Sequence, residues 1–322
     1  MNILVLKDWN IGLGEFDDHW DGIMAAFNEI SRKHSLMFVT KLNEIQGVVR
    51  VHDLNVHSDH SAGLTRWIPL VEAEEWDVII CWGSLDRPWH NYLDEYSCPK
   101  ILCHAGGPTD HPNNSMFDVF CCESQVYIDQ YKALGKKAVR AFGTNTKIFY
   151  NEPRSAKVFD SIYPASFCFH KNHELYARAV GPRGLTVGNF NEQNIVGKMY
   201  QLNTPVMGRV SSETLRSLYN MSRTTVIPCG TNGGAQRVVL ESMACGVPVI
   251  VAEDNDKCVE FVEESGFGRV VIPVEEEIRT AVRELCETPM DPSLGVNYVK
   301  SKWTEYDYAM HIMDAVSIAR AS

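Results

Sequence analysis

The chain has 322 residues, 45% hydrophobic, 22% charged and 10% aromatic. This composition excludes a disordered, collagen-like or disulfide-scaffold protein and leaves enough chain for two cores. Thirty basic against 41 acidic residues give a net charge of −11, which argues against a general polyanion binder, because counterion release needs clustered Lys and Arg.

The opening run Met1–Lys7 reads as a first β-strand and is charged too early for a secretion signal. No stretch reaches the ~20 apolar residues that span a bilayer. The ten cysteines include no CxxC, and several sit in apolar runs, which reads as free buried thiol in a reducing, cytoplasmic setting. After the first strand comes a glycine-bearing loop with Gly12 and Gly14. Ile23, Met24, Phe27 and Ile30 then recur at helical spacing, before a strand at Leu36–Thr40. The stretch from Asn43 to Ile68 is too irregular to order. Further strands are expected at Asp77–Trp82, Pro99–His104 and Asp118–Cys122, then a helix over Ser124–Leu134 and a strand over Ala138–Phe142. This alternation predicts a doubly wound parallel sheet.

Phe149–Ala156 is polar, contains proline and is the best linker candidate. A second alternating block follows. Asp160–Phe169 and Gly184–Gly188 read as strands. Pro205–Val210 leads into a helix capped at Ser211-Ser212-Glu213, with Leu215, Leu218 and Tyr219 on its apolar face. Thr224–Pro228 and Pro248–Ala252 are strands buried on both faces. The chain closes on a helix within Trp303–Arg320. The expected domains are 1–150, 151–302 and a terminal helix over 303–322 that crosses back to the first. Both domains are Rossmann-like, and such a pair faces across a cleft.

The run from Val226 to Val251 carries most of the chemistry: a buried strand, a glycine-rich loop, a helix, a tight turn and another buried strand. Gly233 and Gly234 let backbone amides approach a ligand, and a helix N-terminus favours phosphate. The same glycines also serve an ordinary strand–helix connection. Glu241 lies two turns into that helix, where a carboxylate can accept paired hydroxyls.

Here the chain resembles the retaining glycosyltransferases of the GT-B fold, family 4 type (glycosyl transferases group 1). Glu241-Ser-Met-Ala244, Gly246 and Pro248-Val-Ile250 match the family's E-A-M-A-x-G-x-P-V-V segment, with Pro228 opening the loop. Val206–Tyr219 resembles its G-R-V-s-x-e-x-L-x-x-x-Y segment, and Lys302–Tyr306 its terminal "f-s-W" run. In the first half, Asp118, Ser124, Tyr131, Gly135, Gly143, Asn145 and Phe149 occupy similar places.

The resemblance implies sugar transfer from a nucleotide-diphosphate donor, UDP- or GDP-linked, to an acceptor hydroxyl, with retention and without a metal or other cofactor. It implies that His104 and Lys171 act at the reaction centre, His104 near the sugar and Lys171 on the diphosphate. Gly12, Gly14, Gly233 and Gly234 would approach phosphate, Arg209 and Val210 would meet the base edge, and Glu241 would hold the ribose. Two departures stand out. The family's first glutamate, eight positions before Glu241, falls on Gly233, leaving Asn232 or Gln236 to hydrogen-bond the sugar. The family's diphosphate-gripping arginine is missing near Ala165, and Arg237 is a substitute.

His170 and His173 flank Lys171 and read either as phosphate helpers or as a surface pair at a helix start. His57-x-x-His60 has metal-like spacing but no completing pattern, so no metal is assigned. Three other readings stay open: a non-catalytic sugar-nucleotide-binding homologue, a sugar-nucleotide epimerase, and a phage-type transferase acting on nucleic-acid bases. The acidic balance disfavours nucleic acid. Neither the acceptor nor the oligomeric state is legible.

Overall fold

The computed structural model describes residues 1–7, 22–43, 48–53, 64–67, 75–85, 89, 93–94, 96–104, 107–234 and 236–321. The Gly12 and Gly14 loop and the His57/His60 pair lie outside them. The chain divides into two compact units, Met1–Gly143 with Glu305–Ser322, and Thr144–Thr304. Each is an α/β unit built on its own sheet.

In the first unit the strands are β1 (Asn2–Lys7), β2 (Ser35–Asn43), β3 (Val48–Asp53), β4 (Leu64–Trp67), β5 (Val78–Gly83), β6 (Lys100–His104), β7 (Val119–Cys122) and β8 (Ala138–Arg140). Their order in the sheet is β4-β3-β2-β1-β5-β6-β7-β8. From β2 to β8 neighbours run parallel. The irregular stretch after residue 43 contributes β3 and β4, which add on antiparallel, so the sheet is not parallel throughout. The parallel part reads as continuous apolar runs because helices cover both faces. Ile3–Leu6, Val78–Cys81, Ile101–Cys103 and Val119–Cys122 are all buried. Helix α1 (Gly22–Ser31) buries Ile23, Phe27 and Ile30, and α2 (Gln125–Ala133) buries Ile128 and Tyr131. Ser124 accepts a hydrogen bond from the Tyr127 amide and starts α2.

The second unit carries β9 (Phe159–Pro164), α3 (His173–Val180), β10 (Gly184–Val187), α4 (Gln193–Gln201), β11 (Val206–Met207), α5 (Ser212–Asn220) and β12 (Ser222–Ile227). It continues with α6 (Gln236–Ala244), β13 (Val249–Ala252), α7 (Asp256–Ser265), β14 (Gly268–Val271), α8 (Glu275–Glu287) and α9 (Pro292–Lys302). Its sheet is parallel throughout, in the order β11-β10-β9-β12-β13-β14. Ser211 caps α5, as its position before the apolar periodicity requires. Phe149, inside the stretch that reads as a linker, is buried in this unit against Tyr219, at 6.1 Å between ring centroids. That one aromatic makes an otherwise polar segment part of a core, at roughly 1.5–3 kcal/mol for a fully buried side chain.

The last helix, α10 (Glu305–Arg320), belongs to the first unit, where Tyr308, Ile312, Ala315 and Val316 are buried. All ten cysteines are free, and most are buried. Among the described residues no helix is long and apolar enough to cross a membrane.

Candidate functional site

In an open parallel sheet, ligands collect beyond the carboxyl ends of the strands, where successive connections leave in opposite directions. In the second unit that point lies between β9 and β12, which are neighbours in the sheet although far apart in sequence. The segment after β9 carries Lys171 on a single tight turn, Phe169–Lys171. The segment after β12 is the glycine-rich loop. They meet: Lys171 Nζ donates to the Gly233 carbonyl. Asn172, in left-handed conformation at φ 55°, donates from Nδ2 to the Pro228 carbonyl at 3.3 Å. The buried Tyr163 hydroxyl donates to the Lys171 carbonyl at 2.8 Å.

The glycines of this loop are dictated by close approach. A Cβ built on Gly233 would lie 2.3 Å from Sγ and 2.4 Å from Cβ of Cys229, a fully buried residue. No side chain fits there, so the carboxylate expected from the resemblance is excluded by packing as well as missing from the sequence. Gly234 has φ +62° and ψ −129°, which a residue with a Cβ rarely adopts. Its carbonyl accepts from Asn255 Nδ2 at 3.0 Å, and the same amide donates to the Cys229 carbonyl at 2.9 Å. Asn255 is fully buried and thus clamps both ends of the loop. Its place in the polar run Glu253–Asp256, just past a buried strand, was the signal that could have found it.

The loop delivers the chain into α6, whose N-terminus brings unpaired backbone N–H groups and positive potential. Gln236 is buried in its first turn, and Asn232 is exposed on the loop before it. Glu241 lies further along and is only 3% exposed. Its Oε2 accepts from the Tyr219 hydroxyl at 3.0 Å, and its Oε1 lies 3.3 Å from Nε of Arg237. Burial pushes the Tyr219 phenol well above its usual range, followed by the Glu241 charge, so the phenol stays a donor. Tyr219 is more than part of an apolar face: it holds the carboxylate. Arg237, read as a stand-in for the missing diphosphate arginine, is on Glu241 instead. Ala165 only continues the ladder, its N–H donating to the Val187 carbonyl at 2.9 Å.

Arg209 and Val210 lie after β11, between Gly208 and the capping Ser211. Arg209 is exposed and Val210 partly buried. A Cβ on Gly208 would come within 3.8 Å of the Phe190 ring. His170 is exposed, but His173 is not part of a surface pair: it is 1% exposed and stacks on Phe167 with centroids 4.5 Å apart. Its Nε2 donates to the Ser166 carbonyl at 3.0 Å. Burial pushes its pKa down to about 4, outweighing the opposing pull of that carbonyl.

The depressed His173 value makes folding stability depend on pH. Between pH 6.5 and 4 the unfolded chain binds a proton at this position and the folded chain does not. Stability contributed by neutral His173 is complete above pH 6.5 and lost as pH falls towards 4, by up to roughly 3 kcal/mol. Thermal melts over this range should fall more steeply in the wild type than in His173→Gln. Parallel curves would contradict the assignment.

In the first unit His104 ends β6 in register with Gly83, at the carboxyl edge of the sheet. It is 5% exposed, and its Nδ1 lies 2.7 Å from the Tyr131 hydroxyl. Burial keeps Tyr131 protonated, and its ring stacks on Phe120 at 4.1 Å. With the phenol as donor, the imidazole proton sits on Nε2. Among the described residues no group of three or more His, Cys, Asp or Glu is placed to hold a metal ion.

Residues 169–288 match the family model described as Glycosyl transferases group 1. Among solved structures, a glycosyltransferase from Rickettsia africae aligns with TM-score 0.75 and 14% identity, over 100% of this chain and 99% of that one. HepE from Anabaena, solved in complex with UDP, gives TM-score 0.69 and 16% identity over 98% and 100%. Sucrose-phosphate synthase from Thermosynechococcus elongatus gives 0.68 and 16% over 97% of both chains. No curated protein matches the chain by sequence. The fold is the two-domain GT-B fold of glycosyltransferases. Within that fold, the match to the group 1 model falls in the second unit, at residues 169–288.

Proposed function

We propose that the chain transfers a sugar from a nucleotide-diphosphate donor to an acceptor hydroxyl, with retention of the anomeric configuration and without a metal ion. The observation that carries this reading is the meeting of Lys171, the glycine-rich loop and the N-terminus of α6 at the switch point of the second unit's sheet. One lysine and a row of backbone amides favour a diphosphate. HepE structures hold UDP and UDP-glucose, which supports a uridine donor.

In this reading Lys171 leaves the Gly233 carbonyl for the phosphate, and Glu241 accepts from the ribose hydroxyls. The Arg209–Val210 backbone meets the base edge. Asn232 and Gln236 are the remaining candidates for the sugar hydroxyls. The bond from the anomeric carbon to the phosphate oxygen breaks through an oxocarbenium-like state. The acceptor oxygen bonds to the same face, and its proton passes to the departing phosphate. His104, presenting Nε2–H, stabilises the reacting sugar, and Tyr131 fixes that tautomer.

Lys171→Ala is expected to lower kcat/KM about 100-fold or more, in line with removal of one donor to developing charge. Wild-type activity should survive EDTA, and the first-formed product should carry the donor's anomeric configuration by proton NMR. Unchanged turnover in Lys171→Ala, or an inverted product, contradicts the reading. Tyr131→Phe should lower kcat about tenfold with little change in donor KM, since the tautomer and not the binding is altered. Equal changes in both would remove the positioning role.

The filled space at Gly233 favours one other reading, a non-catalytic sugar-nucleotide binder. Tight donor binding with neither transfer nor donor hydrolysis would establish it.

A further inference from the structure

At the opposite edge of the second unit's sheet, β9 and β12 begin beside a surface depression of about 390 Å³, a volume typical of small-molecule sites. Four guanidinium groups line it: Arg183 ahead of β10, Arg223 in β12, and Arg279 and Arg283 one turn apart on α8. Asp160 and Glu287 are the carboxylates among the lining residues. Asp160 is shared, gripped by Arg183 through both oxygens and lying 3.8 Å from Arg223. Arg279 is engaged by Glu275 and Glu276. Arg283 is exposed and makes no ion pair among the described residues.

The lining itself sets four guanidinium groups against two carboxylates, with Glu275 and Glu276 drawn to Arg279 from beside it, in a chain whose net charge is −11. The half-buried Cys286 adds no charge, since burial, followed by Asp160, raises its thiol to about 11. Guanidinium forks match phosphate oxygens two at a time. We propose that this depression binds a small anion bearing two phosphoryl groups, at a site separate from the glycine-rich loop. The two lie at opposite ends of the same strands, β9 and β12, so one ligand of this size cannot span them.

The test is calorimetric titration at low salt with inorganic pyrophosphate, run with UDP already saturating the glycine-rich loop, on wild type, Arg283→Gln and Arg183→Gln/Arg223→Gln, with UDP affinity measured separately. Arg283→Gln removes no ion pair and preserves the fold if the double variant does not. The expected result is at least a tenfold loss of pyrophosphate affinity in either variant, with UDP affinity unchanged. Pyrophosphate binding that is undetectable in wild type, or equal in wild type and Arg283→Gln, overturns the proposal. Parallel loss of UDP and pyrophosphate affinity would show that the two sites are not separate and would overturn it as well. Failure of UDP alone to bind bears on the donor reading and not on this site.

Discussion

Gly233→Ala is expected to weaken donor binding about 100-fold and to destabilise the second unit by about 1–3 kcal/mol. The added Cβ meets Cys229 at 2.3–2.4 Å, and Cys229 is fully buried. Overpacking of this kind typically costs 1–3 kcal/mol. The larger consequence is displacement of the loop, since a shift of about 1 Å in a positioning element costs on the order of 100-fold. Gly233→Glu, which places the family's carboxylate at this position, should fail for the same reason. The rescue is specific. Cys229→Gly removes both offending atoms and should restore binding to Gly233→Ala, whereas Cys229→Ala leaves its Cβ at 2.4 Å and should not. Titration and thermal melts of the four variants check this. Wild-type affinity in Gly233→Ala would refute the packing argument.

Glu241 gives the second large effect. Glu241→Ala removes the acceptor of the buried Tyr219 hydroxyl and the partner of Arg237. Hydrogen bonds to charged groups contribute about 1.5–3 kcal/mol, so the melting temperature should fall by several degrees. Donor affinity should fall about 100-fold, equivalent to roughly 2.7 kcal/mol for two lost hydroxyl contacts. Two further variants separate structure from binding. Tyr219→Phe should lower the melting temperature and leave donor affinity within a few-fold. Glu241→Gln should do the reverse, since it keeps the shape and one acceptor but loses the charge. Donor affinity unchanged in Glu241→Gln would remove Glu241 from the ribose role.

Elements buried on both faces were legible in the sequence because their apolar runs are continuous. Val78–Cys81, Val119–Cys122 and Val249–Ala252 are such strands. The glycine-rich loop and Glu241 were legible because their order along the chain is local. What could not be read are pairings between distant residues. Tyr219 with Glu241, Asn255 with Cys229 and Gly234, and Tyr131 with His104 join positions 21 to 27 residues apart. Each depends on two elements being packed side by side, which periodicity does not report. β3 and β4 escaped for a different reason: their segment mixes polar and apolar residues without a clean alternation, and their antiparallel pairing is set by the neighbour β2. His173 reads from sequence either as a phosphate helper or as a surface residue at a helix start; it is a buried ring packed on Phe167 and Tyr163.

In the proposed function, everything depends on the switch-point loop of the second unit binding a nucleotide-diphosphate sugar. The most direct measurement is isothermal titration of the whole protein with UDP-, GDP-, ADP- and dTDP-sugars in metal-free buffer. Saturable binding of at least one donor is expected, weakened about 100-fold in Glu241→Ala. Absence of binding by every donor, or equal binding by wild type and Glu241→Ala, would contradict it.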